Sequence, residues 1–192
     1  PKYIALSVDA NQCLSQEIER IDNSQGPKYS MKVLGGFKDL ESFYDFDTNS
    51  KIIMREMDSK LYNISDTIAT YKWSITRESK KIKGYDVRKA VAIDANFKIE
   101  AWYVPSIKSK CGPDEYNGLL GLLLELKKTS LKDENQYTTY KLESISIDDK
   151  LRLQKPTKGK VISTSEFEQI EEEYYQKIQE NINKKRGVDK DD

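Results

Sequence analysis

The 192-residue chain contains no histidine. That removes Ser-His-Asp and Cys-His mechanisms from these residues, and with them the commonest general base at neutral pH. Two cysteines, Cys13 and Cys111, cannot by themselves supply a zinc ligand set of the Cys/His kind. No phosphate-binding loop is present either. Gly118-x-x-Gly121 is too short for the dinucleotide pattern and leads into leucines, with no lysine or serine to meet a phosphate. Neither sign of charge is in excess, with 32 basic and 32 acidic residues, so the basic stripe of a nucleic-acid binder is missing. No apolar run approaches the ~20 residues that cross a bilayer as a helix, so the chain is not expected to be integral to a membrane. The acidic pairs Asp148-Asp149 and Asp191-Asp192 lack the spaced pattern of a calcium loop and read as turn and tail. From these absences we expect no cofactor, no metal, no nucleic acid and no enzymatic activity.

What is present describes a globular domain with a heavily solvated surface: 33% charged and 37% hydrophobic residues, in a length that suits one domain, 1–186, followed by a disordered tail, 187–192. Tyr3–Val8 alternates and reads as a strand. Asp9 then caps an expected helix to about Asp22, with Leu14, Ile18 and Ile21 on one face, and residues 23–27 form a break. Tyr29, Met31 and Val33 predict a further strand ending at Gly35-Gly36. Ser42–Asp47 and Lys51–Met57 read as a hairpin. Lys60–Thr70 is weakly patterned, and Tyr71, Trp73 and Ile75 fall on one face of a strand. Tyr85–Asp94 and Phe97–Val104 form the best-marked hairpin, turning at Ala95-Asn96, where asparagine tolerates the left-handed conformation, and ended by Pro105. Leu122, Leu124 and Leu126 should share one face, and Gln136–Ile147 reads as a long strand.

The period changes near the C-terminus. Ser163 with Glu166 and Ser165 with Glu168 are alternative capping boxes, and Phe167, Ile170, Tyr174, Ile178 and Ile182 make a helical stripe. Glutamates crowd the first turns, Lys184, Lys185 and Arg186 the last, which complements the helix dipole, and Gly187 should stop the helix. The fold class expected is α+β: a curved, mostly antiparallel β-sheet with a C-terminal amphipathic helix over about 165–185.

The most concentrated apolar stretch is Gly112–Lys127, where Gly112-Pro113, Tyr116 and Gly118-Leu119-Leu120-Gly121-Leu122-Leu123 combine turn glycines with a leucine run. With Lys83–Ala90 and Ala101-Trp102-Tyr103 upstream, residues 71–127 resemble the GLPGLI family, with Leu120 where the family name has proline and Val87 at a position that is often cysteine. The resemblance implies an exported protein, periplasmic or extracellular, whose leader has been removed, and no established activity.

Trp102, Tyr103, Tyr116, Gly118, Leu119 and Gly121 are the candidate ligand- or partner-binding residues. An aromatic-lined groove with glycines allowing close approach would suit them, but Trp102 or Tyr103 packed into the core is the favoured explanation, and adjacent strand residues point to opposite sides. The expected function is a non-enzymatic envelope protein binding a partner protein or an apolar small ligand. Its alternatives are an accessory subunit docking on an envelope complex and a carboxylate-based hydrolase using Asp114 and Glu115. Cys13 and Cys111 would form a disulfide in an oxidising compartment if their Cα atoms meet; otherwise they are two unpaired thiols.

Overall fold

A computed structural model describes residues 3–18, 37–148 and 150–188. Among them the strands are β1 (Tyr3–Val8), β2 (Gln12–Ile18), β3 (Phe37–Asp45), β4 (Ser50–Met57), β5 (Lys60–Thr67), β6 (Ser74–Ile82), β7 (Tyr85–Ile93), β8 (Phe97–Val104), β9 (Leu122–Ser130), β10 (Tyr137–Lys141) and β11 (Lys160–Ser163), followed by the helix α1 (Thr164–Val188). They form a six-stranded sheet, β1-β2-β3-β4-β5-β11, and a five-stranded sheet, β10-β9-β8-β7-β6. Every pairing is antiparallel except β5 with β11. The α+β class with mostly antiparallel sheets and a C-terminal helix is therefore the fold, with the strands divided between two sheets.

Local chemistry explains the meander. Asp58 and Ser59 (φ 51° and 61°), then Lys83 and Gly84 (φ 49° and 87°), place two consecutive residues in the left-handed region, the two-residue turn that matches strand twist. The expected β7–β8 hairpin is present, but its turn does not use a left-handed Asn96. Instead the Asp94 carboxylate accepts the backbone N–H groups of Asn96 and Phe97 at 3.0 and 2.9 Å.

Several expectations are corrected. The helix from Asp9 is a strand, β2: Asp9 accepts Asn11 N–H at 3.0 Å to close a tight turn, and alternation buries Cys13 and Ser15 between β1 and β3. β1 pairs with Cys13–Ile18 and β3 with Gln12–Gln16, so the segment's backbone groups are met by neighbouring strands and its side chains alternate between the two faces. Lys60–Thr67 is a full strand. Tyr71 and Trp73 precede β6 and pack on a core that Ile75, 62% exposed, does not join. The leucine run does not keep one parity, because a bulge between β8 and β9 sends Leu122 and Leu124 to one face and Leu123 and Leu126 to the other. The strand expected over 136–147 ends at Lys141, leaving Ile145 and Ile147 exposed. The break at 23–27 and the strand at 29–36 lie outside the described residues.

The five-stranded sheet is covered on both faces. One holds Ala90, Ala92, Ile99, Ala101, Tyr103, Leu123 and Leu126 beneath Tyr116 and Leu119; the other holds Val87, Val104, Leu122 and Leu124 against Leu6 and Val8 of β1. A Cys13–Cys111 disulfide, with Cα atoms 5.9 Å apart, ties β2 to the loop between β8 and β9.

The α1 helix docks on β5 and β11 through Phe167, whose ring meets Tyr62 edge-on at 5.5 Å within a cluster of Met57, Ile64 and Ile162. Arg55 lies over the Phe167 ring and makes a bidentate ion pair with Asp39. Ser163 is the capping-box serine: its hydroxyl accepts Glu166 N–H at 3.2 Å while Glu166 accepts Ser163 N–H at 2.7 Å. Gly187 does not stop the helix, which continues to Val188, and residues 189–192 of the expected tail lie outside the description.

Two carboxylates guard this junction. The Thr164 hydroxyl, 2.7 Å away, and the Thr67 N–H hold Asp66 below the ordinary carboxylate range, and the Ser163 N–H and hydroxyl do the same for Glu166. A carboxylate with a depressed folded-state pKa adds stability above its unfolded pKa of ~4 and loses it as pH falls through the folded value. Asp45 of β3 and Glu100 of β8 also lie below the ordinary carboxylate range, so acid titration below about pH 4 should weaken the α1 junction and the sheets together. Coincident loss of ellipticity at 222 nm and of native tryptophan fluorescence would show it, and a fold that keeps its urea midpoint from about pH 6 to pH 3 would refute it.

Candidate functional site

A grouping of aromatic and charged side chains lies where the loop 105–121 covers one face of the five-stranded sheet. Close backbone contacts fix the loop. Gly118 N–H donates to Lys110 O and Gly121 N–H to Ser109 O, each at 2.8 Å. The buried Asn117 side-chain Oδ1 accepts Gly112 N–H at 3.0 Å, and the Asn117 backbone carbonyl accepts the Trp73 indole N–H at 3.0 Å. The Asn117 Nδ2 has no hydrogen-bond partner among the described residues. The disulfide pins the loop near its middle, at Cys111. Asp114 and Glu115 are thereby presented at the surface while Tyr116 turns inward, 3% exposed.

Around Tyr116 stands a row of rings. Tyr71 lies 5.4 Å from it, Tyr140 6.3 Å, and Trp73 5.8 Å from Tyr71, all in tilted contact. Each phenol has a charged neighbour: the Tyr140 hydroxyl donates to Asp114, the Glu115 carboxylate acts on Tyr71, and the Lys128 ammonium lies 5.7 Å from the centre of the Tyr116 ring. Burial, reinforced by Glu115, Tyr116 and Asp94, raises the Tyr71 pKa well above the usual phenol range; burial and Asp114 do so for Tyr140. Burial also raises Tyr116, against the pull of Lys128. Burial works against the Lys128 charge, but Tyr116, Glu115 and Asp94 outweigh it and raise its pKa. All three phenols therefore stay protonated and Lys128 stays cationic throughout the neutral range. The Lys128 ammonium also lies 4.0 Å above the Phe97 ring.

The six candidate residues do not converge. Tyr103, Tyr116 and Leu119 share one buried cluster, Gly118 is exposed, and Gly121 is pressed against Val104. Trp102 is on the opposite face of the sheet, under Lys80 at 4.3 Å and Lys89 at 5.9 Å. Lys80 pairs with Glu125, and Lys89 with Glu78 and Glu100, which explains how a lysine sits in an apolar row of β7. Sequence reasoning did not bring Tyr71, Asp94, Lys128 and Tyr140 to the site. They come from four separate segments, and the only signal was the chain's 12 tyrosines.

Comparison with known families decides the affiliation. The family described as N-glycanase peptide, N-terminal domain, matches residues 47–162, more than half the chain. This chain belongs to that family. Solved structures of PNGF-II in the P21 and C2 space groups share the fold, with TM-scores of 0.57 and 0.56 and 19% and 17% identity; each match covers 91% of this chain and 30% of that one. This chain thus spans less than a third of the length of those structures. The comparison with curated proteins finds no match.

Membership overturns the GLPGLI resemblance. The motifs behind it are general β-sheet punctuation: Lys83-Gly84 is a two-residue hairpin turn, Gly121 a point of close backbone approach, and the leucines a doubly buried strand. The expected non-enzymatic envelope protein, with its partner-protein, apolar-ligand and accessory-subunit readings, falls with it, because the family is named for an N-glycanase, a glycan-cleaving enzyme. Lack of histidine excluded histidine chemistry from these residues only. Among the described residues no helix is long and apolar enough to cross a membrane.

Proposed function

We propose that this chain is the N-terminal domain of an exported N-glycanase and engages N-glycosylated protein during glycan cleavage. The family match carries this reading, since residues 47–162 include the whole tyrosine row and its charged partners. The disulfide supports a periplasmic or extracellular location, because such bonds persist in oxidising compartments.

The test uses the chain immobilised on a biosensor. A glycoprotein bearing N-linked oligosaccharides should be retained, and the same protein made without its glycans should not. Equal retention of both forms, or of neither, would overturn the reading.

A further inference from the structure

We infer that the partly exposed rings of Tyr71, Trp73 and Tyr140, set around the buried Tyr116, are a platform for neutral sugar residues of the N-linked glycan; the inference rests on the function proposed above. Three independent features converge on it. The first is shape and surface. Tyr71, Trp73 and Tyr140 are only partly buried, and their rings follow one another at 5.4–6.3 Å around Tyr116. A pyranose has a face of C–H groups that can lie on such rings, as other apolar surfaces do.

The second is hydrogen-bonding chemistry. Sugar hydroxyls both donate and accept, and the rim offers both partners: the Asp114, Glu115 and Asp94 carboxylates accept, while the Lys128 ammonium donates. The same loop encloses Asn117 Nδ2, a donor in a residue 2% exposed, whose Oδ1 and backbone carbonyl are already committed to Gly112 and Trp73. A donor this enclosed is out of reach of a sugar hydroxyl and is a position for a buried water that steadies the loop.

The third is charge. The charged groups that weigh most on the three phenols are three carboxylates, Asp94, Asp114 and Glu115, against one ammonium, Lys128. This local negative surplus repels an anionic ligand and tolerates a neutral one. The platform therefore discriminates against sialylated glycan ends. Because the disulfide and the loop's backbone bonds hold it in place, little ordering accompanies binding.

Calorimetric titration of the full chain with a neutral high-mannose oligosaccharide and with a sialylated complex oligosaccharide tests the proposal. The neutral sugar should bind about tenfold more tightly. Tyr71→Ala and Tyr140→Ala should each weaken neutral-sugar binding about tenfold, whereas Tyr175→Ala, on the exposed face of α1, should not. Glu115→Gln and Asp114→Asn keep the side-chain shape and guard against misfolding; each should narrow the preference for the neutral sugar. If the wild-type chain binds glycan but these tyrosine and carboxylate variants bind as it does, the platform is elsewhere and only this inference fails. Equal affinity for the two sugars overturns the charge argument and the inference with it. If the wild-type chain binds neither sugar nor the glycoprotein, the proposed function fails as well.

Discussion

Replacing Cys13 and Cys111 together by alanine should lower the unfolding free energy by about 4 kcal/mol and the melting temperature by about 10 °C. The two residues are 98 apart in sequence, and closing a loop of that length removes much of the unfolded chain's freedom, worth up to ~4.7 kcal/mol in the chain-entropy picture. Both are essentially buried, 0% and 1% exposed, among Tyr44 and Ile68, so alanine avoids placing a new polar group there. The bond also joins β2 of one sheet to the loop that carries Asp114, Glu115 and Tyr116. Its loss should therefore soften the site as well as the fold. Urea titrations of the wild type, oxidised and reduced, beside the double variant would measure this. Reduced protein with an unchanged midpoint would mean that the two sheets are held by packing alone.

Gly121→Ala should cost roughly 3 kcal/mol or more, and Gly118→Ala only about 1 kcal/mol. Both glycines have positive φ, 151° and 93°, so both substitutions strain the backbone. They differ in surroundings. A Cβ on Gly121 would lie 2.4 Å from Val104 O and 2.7 Å from the Tyr103 ring, whereas one on Gly118 would meet nothing within 4 Å. The backbone cannot retreat easily, because Gly121 N–H is bonded to Ser109 O and Val104 belongs to the core of β8. Denaturant midpoints of the two variants separate the contributions. Equal losses would assign the whole effect to φ and none to close approach.

Much of the fold was legible in the residues because hairpins are local. The pair β7–β8, the pair β3–β4 and the capping box at Ser163 all follow from alternation, turn residues and side chains within a few positions of one another. The misread elements were decided from a distance. Leu14 and Ile18 can mark a helix face, but β1 and β3 on either side make that segment a strand. The leucine run switches faces because of a bulge against β8, which no pattern within the run reveals. Short glycine and aromatic motifs pointed to the wrong family because hairpin turns and close approaches demand the same residues in many folds.

By itself the sequence determined the chemistry that is absent from these residues, the alternating strands, the helix start and the presence of a glycine-ruled loop before a buried leucine strand. Tertiary structure decided which residues meet. It separated Trp102 from Tyr116 across a sheet, joined Cys13 to Cys111, and gathered Tyr71, Asp94, Lys128 and Tyr140 around the loop. The physical reason is that local structure follows from period and turn chemistry within a few residues. A site is made of side chains brought together by sheet register and packing, and neither is encoded in any one segment.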